Sequence, residues 1–324
     1  MHTIRELQDL FKLRLSEHSF PSSPTTLYDP VRYVMGIGGK RIRPALLLAS
    51  YDMYADAAGP AFEASLAVEV FHNFTLLHDD IMDEADLRRN KPTVHVAYDE
   101  NKAILSGDVM MIYAYQLLEK YPEQYYALSK VFSQTAREVC EGQSMDMHFE
   151  SVDEVSISEY LRMIELKTSV LLAASLKMGG ILGNASIEDL NHLYEFGKNL
   201  GISFQIQDDL LDTFGTEEQL GKKIGGDITQ RKKTYLYIKA LELLSEQEAS
   251  RLRQIYTTEG LVMDATHIAE AKSLITSSHV KVHAEELKLV YQQLALSHLD
   301  AIQVTAERKT ALKELADYLL NREV

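Results

Sequence analysis

FHNFTLLHDDIMDEADLRR, residues Phe71–Arg89, is the stretch on which both fold and chemistry turn. Its apolar residues recur at three- and four-residue spacing, the period of an α-helix, and the run ends in Asp79-Asp80-Ile81-Met82-Asp83. The same D-D-x-x-D pattern returns as Asp208-Asp209-Leu210-Leu211-Asp212 within ISFQIQDDLLDTFG, residues Ile202–Gly215. On a helix, positions i and i+4 share a face with Cβ atoms about 6 Å apart. Asp79 then projects beside Asp83, and Asp208 beside Asp212. Carboxylates held that close repel and take up protons unless cations lie between them. Hard oxygen donors of this kind suit Mg²⁺, which keeps waters and binds through a few carboxylates plus substrate phosphates. One such motif is as readily a solvated acidic helix face. Two, both flanked by apolar residues, point to metal.

The rest of the chain supports a helical frame. Its 324 residues are 46% apolar with only 16 Gly and 7 Pro, and strand-like alternation is absent over any useful length. The expectation is an all-α fold: residues 1–324 as a single domain, one large bundle of roughly a dozen helices around a central apolar cavity. A net charge of −15 argues against binding to a phosphate backbone, so no nucleic-acid partner is expected. The lone Cys140 excludes an intrachain disulfide and a cysteine-based zinc site, and fits a reducing cytoplasm. No apolar run reaches the length of a membrane span, and the amphipathic, charged N-terminus is unlike a signal peptide.

Along the chain, an opening helix is expected at about Thr3–Ser16 and a loop at Phe20–Pro30. The basic, glycine-rich segment GIGGKRIRPALLLAS comes next, with a helix starting near Pro44. A long helix from about Pro60 to Asp83 carries the first acidic motif, and the polar loop ADLRRNKPTVH ends it. Further helices are expected at about Ala103–Glu119, Pro122–Glu150, Ser158–Gly179 and Ile187–Phe214, the last bearing the second motif. GTEEQLGKKIGGDITQRKK then reads as a mobile cationic loop without packed structure. Amphipathic helices continue to the end.

Basic residues gather around the acidic motifs: Lys40, Arg41 and Arg43; Arg88 and Arg89; Lys167; and Lys222, Lys223, Arg231, Lys232 and Lys233. Arg offers a planar fork matched to phosphate oxygens and Lys a point charge. In so acidic a chain, the set suggests a polyphosphate held partly by Mg²⁺ and partly by side chains.

With GGKRIRP at Gly38–Pro44, LLHDDIMDEADLRRNKPT at Leu76–Thr93, Lys167-Thr168, FQIQDDLLD at Phe204–Asp212 and GKKIGGDITQRKKT at Gly221–Thr234 in that order, the chain resembles the all-trans prenyl diphosphate synthases. This is the polyprenyl synthetase family, and the likeness spans nearly the whole length. The resemblance implies the isoprenoid synthase fold and a short-chain enzyme of the farnesyl or geranylgeranyl type. In such enzymes an allylic diphosphate (dimethylallyl, geranyl or farnesyl) ionises, and isopentenyl diphosphate attacks the cation head to tail. It further implies three Mg²⁺ per active site and a homodimer. Asp79 and Asp83 match ligands of two ions and Asp208 the ligand of a third, with Asp80, Asp209 and Asp212 in support. Arg88, Lys167, Gln205, Lys222 and Lys232 match allylic-diphosphate contacts, with Thr168 beside them. Lys222 and Lys223 stand where one lysine is usual, so either fits. Lys40, Arg43, His72 and Arg89 match the isopentenyl diphosphate pocket. Read alone, His72 belongs more readily to a core than to a ligand set; the resemblance reverses that.

Product length is read from the helix before Asp79. Phe74 lies five residues back, roughly 7.5 Å down the axis, where relatives making long chains tend to carry a small residue. Phe74 is expected to act as a floor, with Phe71 thickening it one turn deeper. Thr75 is not aromatic, unlike many farnesyl-producing eukaryotic relatives, and the two-residue insertion of bacterial farnesyl synthases is missing. A C20 product is favoured over C15, and both over C30 or longer. A class I terpene cyclase would leave Lys40, Arg43, His72 and Arg89 without a role. A non-catalytic partner subunit would typically have lost aspartates, and all six are present.

Overall fold

The computed structural model describes residues 2–55, 58–216, 224–258 and 260–320. The helices run α1 Ile4–Glu17, α2 Thr25–Gly36, α3 Ile42–Asp52, α4 Phe62–Met82, α5 Val94–Ala97, α6 Glu100–Leu118, α7 Tyr125–Ser151 and α8 Ile157–Ile164. After a five-residue π turn, Glu165–Ser169, come α9 Val170–Leu182 and α10 Ile187–Phe214. The remainder are α11 Gly226–Thr229, α12 Tyr235–Leu243, α13 Glu246–Thr257, α14 Ala265–Ser277, α15 Val280–Ala301 and α16 Ala306–Leu320. The only strands among the described residues, β1 Leu87–Arg88 and β2 Lys91–Pro92, pair antiparallel with Arg88 opposite Lys91. The fold is all-α, as the helical periodicity predicts.

Two compact units form. The first comprises the described residues of Met1–Ser133, Ala174–Leu193 and Gln303–Leu312. Its centre is α4, whose Leu66, Ala67, Val68, Val70 and Phe71 are fully buried, and which packs most extensively against α6. Each of the larger of these side chains, Leu66, Val68, Val70 and Phe71, stabilises the fold by about 1.5–3 kcal/mol on leaving water. A capping box between Thr3 and Glu6 starts α1 and satisfies amide donors that the helix cannot. The second unit comprises the described residues of Gln134–Ala173, Tyr194–Ile302 and Lys313–Val324. Ile206 and Leu210 of α10 pack there with Tyr160, Leu236, Leu252, Ile255 and Ile275. Ser156 and Glu159 form the capping box that begins α8.

Three local expectations are corrected. Helix α2 begins at Thr25, inside the stretch expected to be loop as far as Pro30, because Pro30, Val31, Val34 and Met35 form one buried face. Burial there outweighs the poor helix propensity of proline. The continuous helix expected over Ser158–Gly179 is interrupted by the π turn, which carries Lys167 and Thr168. The described part of the basic segment after α10 is packed: Ile228 is 1% exposed and Lys233 7%. Lys222 and Lys223 lie outside the described residues.

Candidate active site

Helix α4 delivers the first acidic motif at its C-terminal end. Asp83 is the cap residue, and its backbone N–H still donates to the Asp79 carbonyl at 2.8 Å. The i, i+4 relation of the two therefore survives to the last turn. Asp80 points elsewhere. It is buried, and both its oxygens accept from Arg88 Nε, at 2.8 and 2.9 Å. The same guanidinium reaches Asp79 at 3.6 Å. Burial raises the Asp80 carboxyl above its ordinary range, and Arg88 only partly offsets this.

Arg88 and its neighbour face different groups because a hairpin turns between them. Arg89 and Asn90 have φ of 54° and 61°, the two left-handed positions of a tight β-hairpin turn. The Arg89 guanidinium donates to the Gly38 carbonyl. Gly39, at φ 131°, allows the approach: a Cβ there would lie 2.4 Å from an Arg89 nitrogen. Lys40 is exposed, and its carbonyl accepts from Gln8 at 2.5 Å. Arg41, one of the basic residues of GGKRIRP, turns inward to Glu69 and the Met35 carbonyl. Its cation serves the core.

Arg43 Nη1 lies 3.2 Å from His72 Nε2. The guanidinium can only donate, so the imidazole accepts. Burial, then the charges of Arg43 and Arg89, hold His72 well below its ordinary range, neutral as this contact requires. Burial also lowers Arg43, to about 10, with Glu69 opposing. Its Nε is buried without a hydrogen-bond partner among the described residues, which marks a site short of an acceptor.

In the second unit the aspartates of α10 divide their work. Asp209 is buried and accepts from the Tyr160 hydroxyl at 2.5 Å and from Gln205 at 3.1 Å. Burial, with Asp227 nearby, raises its carboxyl well above the usual range. Thr168 donates to Gln205 at 3.4 Å. Asp212, 1% exposed, accepts from the backbone of Gly226 at 3.2 Å and of Asp227 at 3.0 Å, capping α11. Asp208 is the partly exposed member of the motif. Lys167 pairs with Asp146 at 2.6 Å. Lys232 pairs with Asp146 at 3.4 Å and Glu150 at 3.1 Å. Arg231 and Lys233 do not join them: Arg231 donates to the carbonyls of Thr258 and Leu261, and Lys233 to that of Phe149.

Sequence reasoning missed Tyr160 and Asp146. Each is far along the chain from the residue it holds, and no local pattern links them.

Phe74 sits half-buried on α4, its ring 5.6 Å from that of Phe71 and 4.8 Å from His78. Phe71 meets Phe132 edge-on at 5.2 Å, and Phe132 meets Tyr115 at 4.9 Å. Thr75 turns its hydroxyl back to the His72 carbonyl.

The donor set fits Mg²⁺. All candidate ligands are carboxylate oxygens, and Asp79, Asp83 and Asp208 keep some exposure while Asp80, Asp209 and Asp212 are committed to protein donors. Among the described residues no three acidic, His or Cys side chains already converge as a metal cage. Mg²⁺ takes only one or two carboxylates alongside water and phosphate oxygens, so no such cage is required.

A sequence model of the polyprenyl synthetase family matches residues 24–274. The chain belongs to that family. It is a prenyltransferase, and the head-to-tail condensation of isopentenyl diphosphate with an allylic diphosphate is its reaction class. It is 40% identical over 311 residues to the geranylgeranyl diphosphate synthase of Methanosarcina mazei, covering 93% of this chain and 91% of that one. It is 32% identical over 341 residues to the geranylfarnesyl diphosphate synthase of Natronomonas pharaonis, covering 98% and 96%. A crystal structure of a geranylgeranyl pyrophosphate synthase superposes with a TM-score of 0.94 at 44% identity, covering all of both chains. Among the described residues no helix is long and apolar enough to cross a membrane.

Proposed function

We propose that this prenyltransferase makes geranylgeranyl diphosphate, C20, as its main product. The observation that carries the length is Phe74, five residues before Asp79 and backed by the rings of Phe71 and Phe132. Phe71, itself held by Phe132, blocks one side of the Phe74 ring and His78 packs on it edge-on.

The residue roles belong to the same proposal. Asp79 and Asp83 hold two Mg²⁺ ions and Asp208 a third. Bound there, the metal stabilises charge developing on the departing pyrophosphate. Arg88 holds Asp80, and with it the angle of the last turn of α4. Arg43, Arg89 and Lys40 take the diphosphate of isopentenyl diphosphate, and neutral His72 fixes the Arg43 fork. The unpartnered Arg43 Nε supports this role. Arg88, Lys167, Lys232, Gln205 and one of Lys222 or Lys223 take the allylic diphosphate, with Thr168 orienting Gln205. Tyr160 keeps Asp209 hydrogen-bonded.

The two units work as one prenyl synthase domain, a reading supported by a family match that runs through both. A homodimer is supported by Ile104, Leu105 and Ile112 of α6, apolar yet 38%, 59% and 58% exposed. A cytoplasmic location is supported by a single, free cysteine.

The test mixes the protein with Mg²⁺, isopentenyl diphosphate and dimethylallyl diphosphate and resolves the products by chromatography. A C20 product that needs both substrates is expected. A main product of C15 or C25 overturns the length assignment.

A further inference from the structure

Two lysines from distant parts of the second unit converge on one carboxylate oxygen. Lys167 comes from the π turn and Lys232 from the segment after α11, and their Nζ atoms lie 2.6 and 3.4 Å from Asp146 Oδ2. Asp146 is on α7, with a side chain only 12% exposed. Burial pushes its carboxyl up, and the two ammonium groups more than offset this, so it stays ionised well into acid.

We propose that Asp146 is a positioning residue for the allylic diphosphate, holding Lys167 and Lys232 together and charged until the diphosphate takes them over. The proposal rests on the reading that these two lysines contact that diphosphate. Two ammonium groups this close repel, and on flexible four-carbon stems each would otherwise turn to solvent or lose its proton. One shared carboxylate removes both tendencies. A diphosphate carries more negative charge than the carboxylate, so it can draw the lysines away from Asp146.

The backbone shows that the arrangement is built into α7. Gly142, Asp146 and Glu150 recur every four residues and so share a face. A Cβ on Gly142 would lie 2.3 Å from the backbone nitrogen of Lys167, so the lack of a side chain there lets α7 close on the π turn. Lys167 is thus fixed at its main chain by Gly142 and at its ammonium by Asp146. Glu150, with a side chain 55% exposed, pairs with Lys232 and not, among the described residues, with Lys167, and is the control.

Steady-state kinetics with each substrate varied separately test this. Asp146→Asn should lower kcat/KM for the allylic diphosphate 10- to 100-fold and leave the KM for isopentenyl diphosphate within twofold. Asp146→Glu should recover at least a third of the loss on a logarithmic scale, and Glu150→Gln should stay within threefold of the parent. Lys167→Ala should cost at least tenfold in the parent but under threefold in the Asp146→Asn background, since residues acting as a unit are non-additive. Additive losses, an equal effect on both substrates, or near-parental kinetics for Asp146→Asn overturn the proposal. Gly142→Ala decides the matter if Asp146→Asn does not fold: unchanged allylic kinetics would reject it. If Lys167→Ala is itself harmless in the parent, the assignment of the lysines has failed as well.

Discussion

Arg43 Nη1 and His72 Nε2 stand 3.2 Å apart, and this contact agrees with the neutral state that burial and the neighbouring guanidinium charges impose on the imidazole. An imidazolium could not accept from a guanidinium, so the geometry and the depressed His72 pKa state one fact twice. A fixed, neutral acceptor holds the Arg43 fork in place without competing for its charge.

His72 therefore ties stability to pH. Its folded pKa lies below the unfolded value near 6.5, so the unfolded chain binds this proton first as pH falls. The contribution is fully present above the unfolded pKa and is lost as pH drops toward the folded one. Urea unfolding at pH 7.5 and 5.5 should show the parent losing about 1 kcal/mol more than His72→Gln over that range. Equal slopes in both proteins would contradict the neutral-acceptor reading.

Gly39→Ala should act on one substrate only. The new methyl group meets the Arg89 guanidinium and a backbone at φ 131° that tolerates few side chains. The KM for isopentenyl diphosphate should rise at least tenfold while that for the allylic partner changes less than twofold. A change confined to the allylic KM would misplace Arg89.

The aspartates should separate into two kinds. Asp79→Asn should reduce kcat by two or more orders of magnitude and shift the Mg²⁺ requirement upward, with the melting temperature nearly unchanged. Asp212→Asn weakens the cap on α11, a loss of about 1 kcal/mol, and should lower thermal stability before it alters Mg²⁺ dependence. Chelating the metal should abolish turnover in the parent and adding Mg²⁺ restore it. Identical Mg²⁺ titrations for both variants would sink the division.

Phe74→Ala should lengthen the product by at least one C5 unit at a stability cost of about 2 kcal/mol, below the value for a fully buried ring. Phe132→Ala should cost about 3–5 kcal/mol and lengthen the product only when Phe74 is also replaced. An unaltered product distribution for Phe74→Ala removes this ring from length control.

The sequence made the scaffold legible where local pattern decides it. Helix α10 falls at the expected bounds, Ile187–Phe214, and the first acidic motif ends α4 as its periodicity requires. Charge alone could not say which cations serve a ligand. Arg41, Arg231 and Lys233 look like their neighbours in sequence, yet each is spent on the protein itself. The hairpin that splits Arg88 from Arg89 is two residues per strand, too short for any periodicity to register. Asp146 and Tyr160 stayed hidden because their partners are remote, and remote pairing leaves no mark on composition.

The π turn at Glu165–Ser169 also bears on how the gene can vary. A π turn amounts to an α-helix carrying one surplus residue. Deleting one residue there would let the chain close into an unbroken α-helix with α8 and α9 nearly in their present register, while re-aiming the side chains of the turn itself. Such a deletion would look harmless by secondary structure and would still turn Lys167 away from Asp146. Insertions and deletions in this lineage should therefore collect in surface loops and avoid this five-residue window, even though nothing in its composition forbids them.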